Sequence, residues 1–194
     1  MSPYFSSYRS GVDREDFDLL IYLSVHILPF TQILISNNKD IRRKITTSTS
    51  WCHLAARAVA TVFEDKGLKV VDGRVFDIMA ESAGKDFALT CTTHSWCCTK
   101  NNSIMDVAPV GILSYMPILL ARKDNVKTRD WGFVSDKYQE TSEVHEEIRE
   151  HLRSPTFREG FPVYVSVLKN ARQRVDAELA ESKPRRKTWR KNED

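Results

Sequence analysis

The chain has 194 residues, 41% of them apolar and 28% charged, with a formal net charge of +3. That balance excludes an intrinsically disordered chain and leaves enough apolar mass for one well-buried core. The charge is uneven: residues 183–194 hold six Lys/Arg against two acids, so the remaining body nets −1 and is no nucleic-acid-binding surface. Four cysteines (Cys52, Cys91, Cys97 and Cys98) are too few for a disulfide scaffold of this length. The polar, mixed-charge opening carries no signal-peptide pattern. The expected compartment is therefore the cytoplasm, with release as an effector by a leaderless route left open.

Residues 1–12 read as a flexible lead. Asp13 to Asp16 give an acidic helix start before Phe17, Leu19, Leu20, Leu23 and Ile27. Residues 19–35 contain no Asp, Glu, Lys or Arg, but they sit at the short limit for a membrane span and contain Pro29. A proline there breaks or kinks a helix. The expectation is a buried helical hairpin or broken helix, without a transmembrane span. A basic link and the capping-rich run at 46–50 follow. Residues 52–66 are the clearest helix, with Leu54, Ala55, Ala58, Val59, Val62 and Phe63 at spacings of three and four and Gly67 as its C-cap. Residues 68–71 read as a short strand, Asp72-Gly73 as a hairpin turn and 74–79 as a return strand. Residues 81–86 read as a loop.

Residues 87–99 and 103–108 predict a β-hairpin closed by Lys100-Asn101-Asn102. Residues 110–120 read as strand or buried loop. Residues 136–153 predict an acidic helix with Val144, Ile148 and Leu152 on one stripe. Residues 155–162 read as a linker, 163–181 as a helix and 183–194 as a disordered tail. The resulting class is α+β: an N-terminal helical part over about 13–45, a central helix packed on an antiparallel sheet, and C-terminal helices. Residues 1–182 form one catalytic-type domain.

Three side chains carry a chemistry in order along this frame. Cys52 opens a helix, where free N–H groups and the macrodipole favour a thiolate. His94, on the first hairpin strand, can take the thiol proton and return it to a leaving group. Asp106, on the next strand, can fix the tautomer of His94 and stabilise its cation. Counting across the hairpin turn puts residue 94 opposite residues 106–109. Each residue has a plainer reading: a small buried cysteine, an interior histidine, a turn aspartate. Their joint order is what favours the Cys-His-Asp site.

This order resembles the transglutaminase-like branch of the papain-like cysteine enzymes. The matching residues are Trp51-Cys52 with its Ala-rich helix, His94-Ser95-Trp96, and Ile104-Met105-Asp106-Val107-Ala108-Pro109. Asp106-Val107 with Gly111 is also similar to the arylamine acetyltransferases. The resemblance covers about residues 50–111. The Gly-rich lead usual before the nucleophile is replaced here by Thr46 to Ser50. The resemblance implies a papain-like core and an oxyanion site made by the Cys52 N–H and one further donor, for which Gln32 and Trp51 are the candidates. It also implies acyl chemistry on an amide or ester of protein or peptide type, with no cofactor or metal. Hydrolysis or deamidation is expected ahead of transfer, because water needs no second binding site.

Two other classes compete. Cys91, His94, Cys97 and Cys98 offer zinc ligands, but on a strand Cys91 and His94 face opposite ways, as do Cys97 and Cys98. Cys91 and Cys97 share parity and are expected to pack inside. A non-catalytic, transglutaminase-like interaction protein is the other class. In it the basic tail would bind RNA, anionic lipid or an import receptor.

Overall fold

The computed structural model describes residues 12–46, 51–80, 87–109, 118–122 and 138–182. The lead, the run at 47–50, the loop at 81–86, residues 110–117 and 123–137, and the basic tail lie outside the described residues. The architecture is α+β. A five-stranded antiparallel sheet has the order β4-β3-β2-β1-β5, where β1 is Lys69–Ala80, β2 Phe87–Cys98, β3 Ser103–Asp106, β4 Leu119–Arg122 and β5 Tyr138–Glu140. The helices are α1 (Arg14–Ser36), α2 (Lys39–Thr46), α3 (Trp51–Val62), α4 (His145–Arg153) and α5 (Pro155–Glu181).

α3 is the central element. Eight of its twelve residues are buried, and six of the eight are Ala or Val, so neighbouring backbones approach it from several sides. The helix ends in a 3-10 turn, Glu64–Lys66, and Gly67 takes the left-handed conformation (φ +75°) expected of a C-cap glycine. Arg172 of α5 clamps that end. Its Nη1 donates to Val62 O at 2.6 Å, and its two terminal nitrogens each reach an Asp65 carboxylate oxygen at 2.7 Å.

Two prolines sit inside helices: Pro29, expected to break or kink one, and Pro162, expected at the end of a linker. α1 runs through Pro29 without a break, because the ladder is already shifted: Tyr22–Ile27 is a π-helical stretch in which Leu28 N–H bonds Leu23 O, five residues back. α1 is long and apolar enough to cross a membrane by length and composition, with mean hydropathy 1.8. One of its faces nevertheless packs into the core through Leu20, Leu23, Ile27 and Ile35. The expected linker at 155–162 is the opening of α5. Ser154 caps it by accepting from Phe157 N, and Pro155 occupies the first helical position. Pro162 lies within the helix, where a proline costs about 3 kcal/mol. Burial of Phe157, Tyr164, Val167, Leu168, Ala171 and Val175 outweighs that cost.

The sheet has two apolar faces. Cys97, Met105 and Leu120 join the main core with α3, whereas Val75, Trp96, Ile104, Leu119 and Tyr138 form a second cluster. The expected turn at Asp72-Gly73 is absent. β1 is a single strand through both residues, pairing with β2 from Lys69↔Cys98 to Ala80↔Phe87. Gly73 is there for space: a Cβ would stand 2.2 Å from Gln139 O on β5 and 2.7 Å from the Trp96 ring. The expected helix at 136–153 is likewise shorter. Tyr138–Glu140 pairs with β1, Thr141 caps a 3-10 turn at Ser142–Val144, and α4 follows. Val144 and Ile148 are buried on the expected stripe, and Leu152 packs against the main core.

The hairpin is closed as expected, with Cys97↔Met105 and Cys98↔Ile104 paired and Asn102 in the left-handed region at φ 61°. Its turn is tied to α1. Asp16, 2% exposed, accepts from Thr99 Oγ1 at 2.8 Å and from Asn101 Nδ2 at 3.1 Å. Gly73→Ala should lower stability by about 2 kcal/mol through overpacking at the β5 and Trp96 contacts. Urea unfolding that matches the wild type would show that these contacts do not close over β1.

Candidate functional site

His94 and Asp106 meet as the hairpin register requires. Continuing the pairs Cys97↔Met105 and Cys98↔Ile104 sets Trp96 opposite Asp106, so His94 lies one step along the same face. Its Nε2 stands 2.7 Å from Asp106 Oδ2, and both side chains are 0% exposed. Asp106 has two further partners: Tyr138 OH donates to the same Oδ2 at 2.6 Å, and Ala108 N–H donates to Oδ1 at 2.9 Å. Tyr138 comes from β5, on the far side of β1 and β2, so the sheet curls to bring its two flanks together over His94. The His94 ring stacks on Trp96 at 6.2 Å and meets Tyr138 edge-on at 6.2 Å.

Cys52 is the second residue of α3, half-buried at the helix N-terminus. His94 Nδ1 is buried and makes no fully formed hydrogen bond to the described residues. It is the ring atom left for the thiol once Nε2 is held by Asp106. Burial works against a thiolate at Cys52, but the adjoining His53 and His94 imidazoles outweigh it and lower the thiol to about 6. Burial likewise opposes a charged His94, and Asp106 with Cys52 reverses that, raising the ring to about 10. Both shifts point one way: the proton leaves sulfur and stays on His94. Such a thiolate can attack an electrophilic carbon at neutral pH, and the imidazolium can protonate a leaving group.

A second polar layer lies beside the first. His53 Nδ1 is 2.6 Å from Ser95 Oγ, Arg57 Nη1 donates to that hydroxyl at 2.9 Å, and Arg57 Nη2 pairs with Asp72 Oδ2 at 2.7 Å. None of these residues was given a chemical role in the sequence, where Asp72 was read as a turn residue and Ser95 only as part of the His94-Ser95-Trp96 match. The one available signal was adjacency, since His53 follows Cys52 directly and Ser95 follows His94. The Tyr138 contact had no signal, being 32 residues from Asp106.

The other cysteines are placed differently. Cys97 is buried against α3, donating to Ala56 O at 3.4 Å, and burial pushes its thiol up to about 12. Cys91 was expected inside with it, but is exposed. A 12-residue strand is about 40 Å long and a 12-residue helix about 18 Å, so the outer part of β2 runs past the cover of α3. Among the described residues, no three His, Cys, Asp or Glu side chains are grouped to hold a metal ion. Of the suggested oxyanion donors, Gln32 is exposed on α1, and Trp51 precedes Cys52 with its ring 5.0 Å from that of Tyr164.

No family model matches the chain, and searches of curated proteins and of solved structures give no match. Tyr138→Phe removes a charge-assisted hydrogen bond from a buried carboxylate and should cost about 2 kcal/mol in thermal or urea unfolding. An unchanged stability would mean that Tyr138 does not hold Asp106.

Proposed function

We propose that this protein performs thiol-dependent acyl chemistry on an amide or ester, with Cys52 as nucleophile, His94 as proton carrier and Asp106 as the group that orients His94. The observation that carries the reading is the buried His94–Asp106 pair beside a thiol at a helix N-terminus. In the first half-reaction the Cys52 sulfur bonds the acyl carbon, and the bond from that carbon to its nitrogen or oxygen leaving group breaks. His94 gives its proton to the departing atom. In the second half, water or another nucleophile attacks the thioester, its proton passes to His94, and the sulfur leaves as thiolate. The Cys52 N–H, in the first turn of α3, is suited to the oxyanion formed in each half.

The resemblance to the transglutaminase-like and papain-like enzymes supports the same assignment. It accounts for helix-Cys, strand-His and next-strand-Asp in a single frame, with a papain-like core as the corresponding fold. Within that family, hydrolysis or deamidation of a protein or peptide-like amide is the proposed reaction. The cytoplasm is the proposed site of action.

An activated aryl acetate tests the proposal without knowledge of the natural substrate. Brief exposure near neutral pH should leave an acetyl group on Cys52, found by peptide mass mapping, with rapid release of the phenol. His94→Ala should slow acetylation at least tenfold. Asp106→Asn should slow turnover while leaving part of the acylation, since it disturbs His94 rather than the sulfur. Acetyl groups on exposed Cys91 and none on Cys52 would overturn the assignment.

A further inference from the structure

Two donors converge on one oxygen of Asp106. His94 Nε2 stands 2.7 Å from Oδ2, and the Tyr138 hydroxyl donates to the same Oδ2 at 2.6 Å. The other oxygen, Oδ1, accepts from Ala108 N–H at 2.9 Å. A carboxylate oxygen has two lone-pair sites, so Oδ2 is filled and Oδ1 is not. A hydroxyl that served only to hold the carboxylate in place would do so equally well from Oδ1. At Oδ2 it draws on the same charge as His94.

Burial keeps that competition between protein groups. His94 and Asp106 are 0% exposed and Tyr138 is 8% exposed. The Tyr138 ring is fixed where it stands: it meets Trp96 edge-on at 5.2 Å and His94 edge-on at 6.2 Å, and its backbone pairs with Val75 of β1. A hydrogen bond spreads part of an anion's charge onto its donor, which weakens the anion's hold on a second donor. Among the described residues, the titratable groups that face the pair are Tyr138 from β5, Cys52 from α3 and the buried Cys97 of β2.

That sharing bears on the second task of His94. Asp106 and the Cys52 thiolate both stabilise the imidazolium. When the leaving group departs, the sulfur charge is already spent in the bond to the acyl carbon, and Asp106 alone holds the cation. A ring held too tightly is a poor acid near neutral pH. We infer that Tyr138 is a positioning residue that acts through Asp106: by sharing Oδ2 it moderates the hold of the carboxylate on the His94 cation and keeps that ring able to protonate the leaving group. This rests on the proposed acyl chemistry at Cys52. The step is balanced. The Nδ1–H bond of His94 breaks and its hydrogen bonds the leaving nitrogen or oxygen. That atom keeps the electron pair of its broken bond to the acyl carbon, and the ring is left neutral with its hydrogen on Nε2.

Nitrogen-15 spectra of the histidine rings against pH, recorded in a Cys52→Ala background, read the His94 midpoint without the thiolate. Tyr138→Phe keeps the ring and deletes the hydroxyl, and should move that midpoint upward by about half a pH unit. A ring-fluorinated tyrosine at position 138 keeps the hydroxyl as a stronger donor and should move it downward. A hydroxyl that merely held Asp106 in place would give a lowered midpoint in Tyr138→Phe and no response to fluorine, and either result overturns the inference. If Tyr138→Phe does not fold, the fluorinated protein decides alone. With Cys52 intact, Tyr138→Phe should change release from an activated aryl acetate by no more than about twofold, because that phenolate departs without a proton. Release from the corresponding anilide, which needs the proton, should fall about fivefold. Equal slowing of both overturns the inference and leaves the proposed function standing. A wild type that forms no acyl-Cys52 overturns the proposed function, which the ring titration does not test.

Discussion

The burial of Asp106 beside His94 is the constraint around which the other elements are arranged. A carboxylate removed from water must be paired and fully hydrogen-bonded, or it loses its charge. Here three donors meet it, from three parts of the chain: the His94 ring on β2, the Tyr138 hydroxyl on β5 and its own neighbour Ala108. The sheet must curl for Tyr138 to arrive, and Gly73 must lack a side chain for β5 and Trp96 to close over β1. The hairpin must hold one register for His94 and Asp106 to share a face. Buried Asp16 of α1 fixes that register at the turn. A slip by one residue would send Asp106 to the opposite face of the sheet.

The same logic explains why the thiol is on α3. That helix is buried nearly all round and is clamped at its C-terminus by Arg172, so its N-terminus is a rigid place to hold a sulfur. The two sheet faces then supply different polar groups. The face with Trp96 supplies His94 and Asp106, and the face toward α3 supplies Ser95, which links His53 to Asp72 and Arg57. Alternation along four residues of β2 therefore feeds both layers: Ser95 and Cys97 project toward the body of α3, while His94 and Trp96 have the other parity and His94 meets the N-terminal end of that helix at Cys52.

How much of this was legible in the sequence depended on the range of the interaction. α3 announced itself through its apolar period, and the β2–β3 turn through its asparagines, one of which takes the left-handed conformation. The hairpin count already put His94 near Asp106. Failures came where a local signal met a tertiary demand. Asp72-Gly73 is a strong turn dipeptide in isolation, yet the glycine serves a close approach between strands. Pro29 and Pro162 are breakers in isolation, yet a π-helical stretch and a row of buried side chains carry the helices through them. Parity placed Cys97 inside correctly and Cys91 wrongly, because alternation gives the face of a strand but not where its cover ends. The second layer at His53 was hidden for another reason: its four members are spread over positions 53 to 95 and form no spaced motif.

The account turns on charge separation between Cys52 and His94. The ultraviolet absorbance of the thiolate, recorded against pH as the difference between the wild type and Cys52→Ser, measures it directly. A thiolate step near pH 6, weakened by replacement of His94, is the predicted result. A Cys52 thiol that ionises only at the ordinary value for a free cysteine, about 8.5, and ignores His94 would contradict the account.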